Sequence, residues 1–364
     1  MPIPLFDTMT PLAPLRDRIV AKLGEVAQDA RFILGPEVEA FEREFADYLG
    51  VRHVIGVANG TDAITIALRA LGLREGDEVV VPSLTFYASA EAVVNAGGRP
   101  VFCDVDPDTR NITLGTVRAA LTPRTRAIVA VDLFGCPAPV PELRELGLPV
   151  LEDAAQAAGA SLGGRRAGAL GEVATFSFYP SKNLGCFGDG GAIATDDDAL
   201  AEMVRALRFH GSRDKVSFDY VGYNSRLDEL QAAILRVLLP ELDAWTEGRR
   251  RVAQGYGQAG LGDHARLPRP PAGAAPAWHL YVILHSHPEE LRTTLAEHDI
   301  HARGYYRTPL HRQVAMRPYV DDGLKLPVTD ELAATNLALP LSPVMSDEQV
   351  GQVARAVAEF ARAG

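Results

Sequence analysis

Phe176-Ser177-Phe178-Tyr179-Pro180-Ser181-Lys182-Asn183-Leu184-Gly185 runs an apolar strand into a lysine. Phe176 and Phe178 alternate with Ser177 and Tyr179, so one face of the strand is apolar and the other presents hydroxyls. Beyond the lysine, Gly185, Gly188, Gly190 and Gly191 mark a tight loop, and Ala192–Thr195 reads as an adjacent strand. An ordinary lysine is solvated at the surface. One set among glycines at a strand end points instead to a functional loop.

Working outward, the same strand grammar repeats. His53–Val57, Glu78–Pro82, Pro100–Asp104, Ala127–Val131 and Val150–Glu152 read as short apolar strands, and Thr61–Leu71, Ala88–Ala96 and Thr113–Leu121 as helices between them. Continuous apolar strands separated by helices predict an α/β fold with a large, mostly parallel sheet covered on both faces. Near Val173–Tyr179 and Ala192–Thr195 the sheet is expected to be mixed. Prolines at 2, 4, 11 and 14 keep the start extended, ahead of helices at Leu15–Ala27 and Glu37–Leu49. Downstream come helices at Leu200–Arg208, Leu227–Leu239 and Glu241–Tyr256, then the linker Pro268–Gly273. Trp278–Leu284 (strand), Pro288–His298 (helix), Ile300–Tyr306 (strand) and Asp347–Ala361 (helix) predict a smaller α/β unit. The expected division is an N-terminal arm at 1–15, a large domain at 16–245 and a small C-terminal domain at 246–364.

The 364 residues are 47% hydrophobic, enough for one large core and a second smaller one, and carry a formal net charge of -11. The acidic residues are scattered, which disfavours nucleic acid as a partner and leaves anionic small molecules open. Cys103, Cys136 and Cys186 are too few and too dispersed for a disulfide framework or a zinc site, and no metal is expected. Neither a signal-peptide pattern nor a membrane-length apolar run is present, so a cytoplasmic location without membrane contact is expected.

Asn59-Gly60-Thr61-Asp62 follows a strand and opens a helix, where free amides and the helix dipole suit a phosphate. A simple helix cap by Asn59 or Thr61 is the competing reading. Thr85-Phe86-Tyr87 follows another strand, placing an aromatic where it stacks on a flat ring or packs in the core. Val150-Leu151-Glu152-Asp153 ends in acids, and Gln156 lies one turn beyond Asp153. A phosphate cradle, a carboxylate for a ring nitrogen and an amine for an aldehyde are together the requirements of pyridoxal 5′-phosphate (PLP). Partial burial would lower the proton affinity of Lys182 and make it a nucleophile, then a proton shuttle. Asn224 and Arg226 suit either anion binding or capping of the next helix. Tyr306 and His311 read equally as site or core residues.

In this order the motifs resemble the PLP-dependent sugar aminotransferases of the DegT/DnrJ/EryC/StrS family. The likeness starts at Ile33-Leu34-Gly35-Pro36-Glu37 and passes through Ala58–Ala63, Asp153-Ala154-Ala155-Gln156, Phe178–Lys182, Gly188–Ala192 and Asn224–Asp228. It ends near Pro309-Leu310-His311. The resemblance implies the aspartate aminotransferase fold (fold type I). It implies that Lys182 is the Schiff-base lysine, Asp153 the pyridinium partner, Gln156 a contact to the ring oxygen and Phe86 the stacking aromatic. Gly60, Thr61, Asp62 and Ser177 match phosphate contacts. Asn224 would reach the neighbouring subunit's phosphate, which implies a homodimer with shared active sites. Tyr179, Arg226, Tyr306 and His311 are the implied substrate contacts.

The implied reaction moves an amino group from L-glutamate, leaving 2-oxoglutarate, to a nucleotide-linked keto sugar. Asn224-Ser225-Arg226-Leu227-Asp228 is similar to members that aminate C3 of a UDP- or dTDP-linked sugar. A 4-keto sugar, a keto-cyclitol such as an inosose and a non-catalytic PLP-fold regulator are the alternatives. Two positions depart from the C3 pattern: Phe218 and Tyr305 stand where histidine is often found.

Overall fold

The computed structural model describes residues 2–363. Its main sheet holds β1 (His53–Val57), β2 (Glu78–Pro82), β3 (Arg99–Cys103), β4 (Thr125–Val131), β5 (Val150–Asp153), β6 (Val173–Ser177) and β7 (Gly191–Thr195). Their spatial order is β1-β7-β6-β5-β4-β2-β3. The β2–β3, β2–β4, β4–β5 and β5–β6 pairs are parallel, whereas β7 pairs antiparallel with both β1 and β6. Six strands therefore run one way and β7 alone runs against them. The carboxyl ends of β1, β2, β4, β5 and β6 meet along one edge, where ligands bind in open α/β sheets.

Apolar layers cover both faces. One core joins Val79, Val80, Val81, Ile128 and Val129 of the strands to Ile64, Ile66 and Leu68 of the Gly60–Ala70 helix. In the other, Phe41 and Phe45 of the Pro36–Leu49 helix meet Phe178 edge-on at 5.3 Å and 5.7 Å between ring centres. All three rings are fully buried, and losing either Phe41 or Phe45 would cost about 3–5 kcal/mol. A carboxylate from another helix caps the Pro36–Leu49 helix. Glu229 accepts the amides of Gly35, Glu37 and Val38 at 2.8–2.9 Å.

A further core gathers Val252, Tyr256, Tyr281, Ile283, Leu291, Leu337 and Val353 with Ile3 of the arm. Its strand Tyr281–Leu284 pairs with Asn336–Leu339 rather than with the strand expected at Ile300–Tyr306. Only Arg303 of that segment bridges a strand residue, Ala338. The segment then turns away, because the Tyr305 amide donates to the Asn336 side chain at 2.6 Å. The arm is tied to this body by an Ile3 amide bond to Asp299 at 2.8 Å and a His301 amide bond to Ile3 at 3.0 Å. The helix Leu242–Gln258 is continuous across the expected boundary at 245/246, with Trp245 packed on one core and Val252 in the other.

Candidate active site

At the end of β1 the backbone of Asn59 is extended, and its side-chain oxygen accepts the Asp62 amide at 2.8 Å. That cap leaves the Gly60 and Thr61 amides without a protein acceptor among the described residues. Across the cradle stands Ser177, so close that a Cβ on Gly60 would lie 2.8 Å from the Ser177 Cβ. Gly191 is needed for the same reason: a Cβ there would sit 2.5 Å from the Asn59 carbonyl. Two glycines thus let three chain segments converge around free amides and a hydroxyl. Asp62, also on this first turn, contributes its amide to the Asn59 cap.

Asp153 closes β5, buried to 4% exposure. Ser89 donates to its Oδ2 at 3.0 Å and the Ala155 amide to its Oδ1 at 3.2 Å. Burial pushes its carboxyl above the usual range, opposed by those two bonds and by the charge of Lys182. Lys182 is half-buried in a recess behind the loop, and desolvation lowers its ammonium to about 8, against the pull of Asp153. The recess is also lined by Phe6, Asp7, Asn183, Trp245, Arg249 and Leu341.

Gln156 sits in a turn, not a helix. Its Oε1 accepts the Phe134 amide at 2.7 Å and its Nε2 donates to the Tyr306 hydroxyl at 3.2 Å. Tyr306 in turn lies 5.9 Å from the Phe86 ring and 6.4 Å from Phe134. Phe86 is 54% exposed and opens onto an outer cleft of about 870 Å³, shared with Arg292, Arg303, Tyr305, Tyr306 and Arg307.

Not every expected residue joins this cluster. Tyr179 and Asn224 are exposed, and Arg226 stacks over the Phe209 ring at 5.7 Å with no carboxylate partner among the described residues. His311, expected to touch substrate, is instead buried as a tether. Its Nδ1 is 2.6 Å from Ser83 Oγ and its Nε2 is 3.1 Å from Asp330 Oδ1. It fastens the end of β2 to the helix Pro327–Thr335 and does not line the cleft. Sequence reasoning missed Ser89, which bonds Asp153, and Phe134, whose amide fixes Gln156. Ser89 left one faint signal, a polar residue within the apolar run Ala88–Val94.

The description of the DegT/DnrJ/EryC1/StrS aminotransferase family matches residues 14–358. The chain belongs to this family. It is similar to the UDP-N-acetyl-3-dehydro-alpha-D-glucosamine 3-aminotransferase of Acidithiobacillus ferrooxidans, 43% identical over 98% of this chain and 97% of that one. It is 44% identical to the dTDP-3-amino-3,4,6-trideoxy-alpha-D-glucose transaminase of Streptomyces venezuelae, over 99% and 96%. The crystal structure of S. venezuelae DesV superposes with a TM-score of 0.96 at 42% identity, covering 99% and 98%. This family member is a PLP-dependent aminotransferase. The Gly60–Ser177 cradle, the buried Asp153 and the weakly basic amine of Lys182 fit that cofactor.

Among the described residues, no cluster of His, Cys, Asp and Glu could hold a metal, and no helix is long and apolar enough to cross a membrane. The three cysteines are free and buried.

Proposed function

We propose that this aminotransferase takes the amino group of L-glutamate and delivers it to C3 of a UDP- or dTDP-linked 3-keto hexose. One observation carries the reading. Tyr306, which Gln156 bonds beside the Asp153–Lys182 pair, also lines an outer cleft that offers Arg303, two arginines that share Glu289 (Arg292 and Arg307) and a set of aromatic rings. A cleft of about 870 Å³ accommodates a nucleotide sugar, and arginine is the residue suited to a diphosphate. The two similar enzymes named above carry 3-amino or 3-keto nucleotide sugars in their names.

PLP, when bound, supplies an electron-withdrawing ring that lets an amino group pass between carbons. In the proposed site, Gly60, Thr61 and Ser177 would hold the phosphate, and Asp153 would keep the ring nitrogen protonated. Gln156 serves the ring oxygen from a position fixed by Phe134, and Phe86 covers the ring from the cleft. Lys182, whose amine is made less basic by burial, would anchor the cofactor's aldehyde through Nζ and would serve as the base for the proton at the donor's Cα. Tyr179, Arg226 and Tyr306 are proposed to border the sugar.

The proposal includes a homodimer in which Asn224 serves the partner's phosphate cradle. Exposed Phe187, Val216, Phe218 and Val221 supply apolar surface for such an interface. The proposed division into an arm, a large domain at 16–245 and a small domain at 246–364 is supported by the separate core around Val252 and Tyr281. A cytoplasmic location belongs to the same reading.

The test supplies purified enzyme with glutamate and a panel of UDP- and dTDP-linked 3-keto and 4-keto sugars, plus a free inosose. Stoichiometric 2-oxoglutarate and a product bearing nitrogen at C3 are expected. Amination of the inosose alone, or of no sugar, overturns the proposal.

A further inference from the structure

Glu152 lies in β5 and Asp132 directly after β4, and both are wholly buried. The register pairs Ala130 with Glu152 and Val131 with Asp153. Strand alternation therefore turns Asp132 and Glu152 to one face of the sheet and Asp153 to the other. No lysine, arginine or histidine pairs with either acid among the described residues. Glu152 is served as an anion, since the amides of Gly168, Leu170 and Gly171 donate to it at 2.7 Å, 2.9 Å and 3.3 Å. Asp132 is not. Its Oδ1 accepts one amide, that of Ala138 at 2.8 Å, and no donor among the described residues reaches its buried Oδ2. The two carboxyls meet by a side-chain hydrogen bond, which needs a proton on one of them. Burial, then the charge of Glu152, push the Asp132 carboxyl well above its usual range, whereas the three amides oppose the rise in Glu152. The other titratable groups coupled to Asp132 supply no positive charge: Asp153 is a further acid, and Cys136 is a thiol that burial keeps protonated.

What Asp132 holds gives the pair its use. Its amide donates to the Asp153 carbonyl at 3.0 Å, and its own carbonyl accepts the Gly135 amide at 3.1 Å. Together with the Ala138 bond, these contacts fix the turn Leu133–Gly135, in which Phe134 takes a left-handed backbone at φ 60°. A bulky residue stays in that conformation only where its surroundings impose it. The Phe134 amide is the donor that fixes Gln156. With both carboxyls ionised, two anions would face each other without a counter-ion, and repulsion would drive the turn away from β5.

We propose that Asp132 and Glu152 share one proton, and that this proton clamps the end of β4 to β5. Asp132 is thereby a positioning residue for PLP, acting through Phe134 on Gln156. The inference rests on the reading of Gln156 as the ring-oxygen contact and adds how that side chain is held in place.

The experiment compares full-length wild-type holoenzyme with Asp132→Asn, Asp132→Val, Gln156→Ala and the double variant of the last two. At about pH 7 ordinary carboxyls are ionised, so the infrared spectrum of wild type minus Asp132→Asn should show the carbonyl band of one protonated acid. A folded state that keeps a proton the unfolded chain releases loses stability as pH rises from about 4, the ordinary aspartate value, toward the pair's own. In that window the unfolding constant of wild type should rise about tenfold per pH unit relative to that of Asp132→Asn. Asp132→Asn still donates to Glu152 and should retain PLP affinity in equilibrium dialysis. Asp132→Val should lose about tenfold, and adding Gln156→Ala should cost less than about threefold more, because both act on one contact. Absence of the acid band, parallel pH slopes, or fully additive losses in a folded double variant overturn the inference. If Asp132→Val does not fold, the band and the slope of Asp132→Asn still decide the shared proton. If Gln156→Ala alone leaves PLP affinity intact, the reading of Gln156 fails, and the band and slope judge the clamp separately.

Discussion

Ser89 Oγ reaches Asp153 Oδ2 at 3.0 Å, linking the first turn of the Ala88–Asn95 helix to the end of β5. The bond stabilises the ionised carboxylate against the desolvation that acts on it. Ser89→Ala should therefore raise the Asp153 carboxyl further and weaken its hold on the ring proton. Loss of one bond to a charged group, about 1.5 kcal/mol, corresponds to about a tenfold fall in kcat. The pH profile of the bound cofactor's absorbance checks it, since a purely structural role would lower Tm and leave that profile in place.

Lys182 reacts only as the free amine. With its ammonium lowered to about 8, the reactive fraction rises tenfold per pH unit below that value and levels off above it. Capture of PLP by apoenzyme should follow this curve in stopped-flow absorbance. Lys182→Ala should still bind PLP through the cradle, yet show no multiple turnover and no borohydride-fixed label on its active-site peptide.

Gly60→Ala places a methyl 2.8 Å from Ser177 Cβ and forces the cradle open. PLP affinity should fall about tenfold or more, because a backbone shift misaims several amides at once. Equilibrium dialysis reads this directly. Gly191→Ala should act in the same direction through Asn59.

Glu229→Ala removes the acceptor for three amides at the start of the Pro36–Leu49 helix. The expected cost is about 3–5 kcal/mol, since buried donors are left unpaired. Urea denaturation followed by circular dichroism measures it.

The strand and helix alternation was plain in the chain because each strand of the main sheet is buried on both faces, leaving unbroken apolar runs. His53–Val57 and Glu78–Pro82 appear with the bounds that pattern predicts. Asn336–Leu339 escaped notice because it follows a helix without any turn residue between them, so no punctuation marks its start. Within the site, residues beside a strand end or a glycine were readable. Ser89 and Phe134 were not, since their importance arises from neighbours distant in the chain. His311 misled because its ring answers Ser83 and Asp330, which only the folded chain brings near.

Phe6, in the N-terminal arm, packs against the His279 ring at 5.8 Å and the Tyr305 ring at 6.5 Å. Tyr305 lines the outer cleft, so the arm helps to set where the wall of that cleft stands. The steadiness of that wall then depends on the grip of Ile3 on Asp299 and His301, a few residues from the ring.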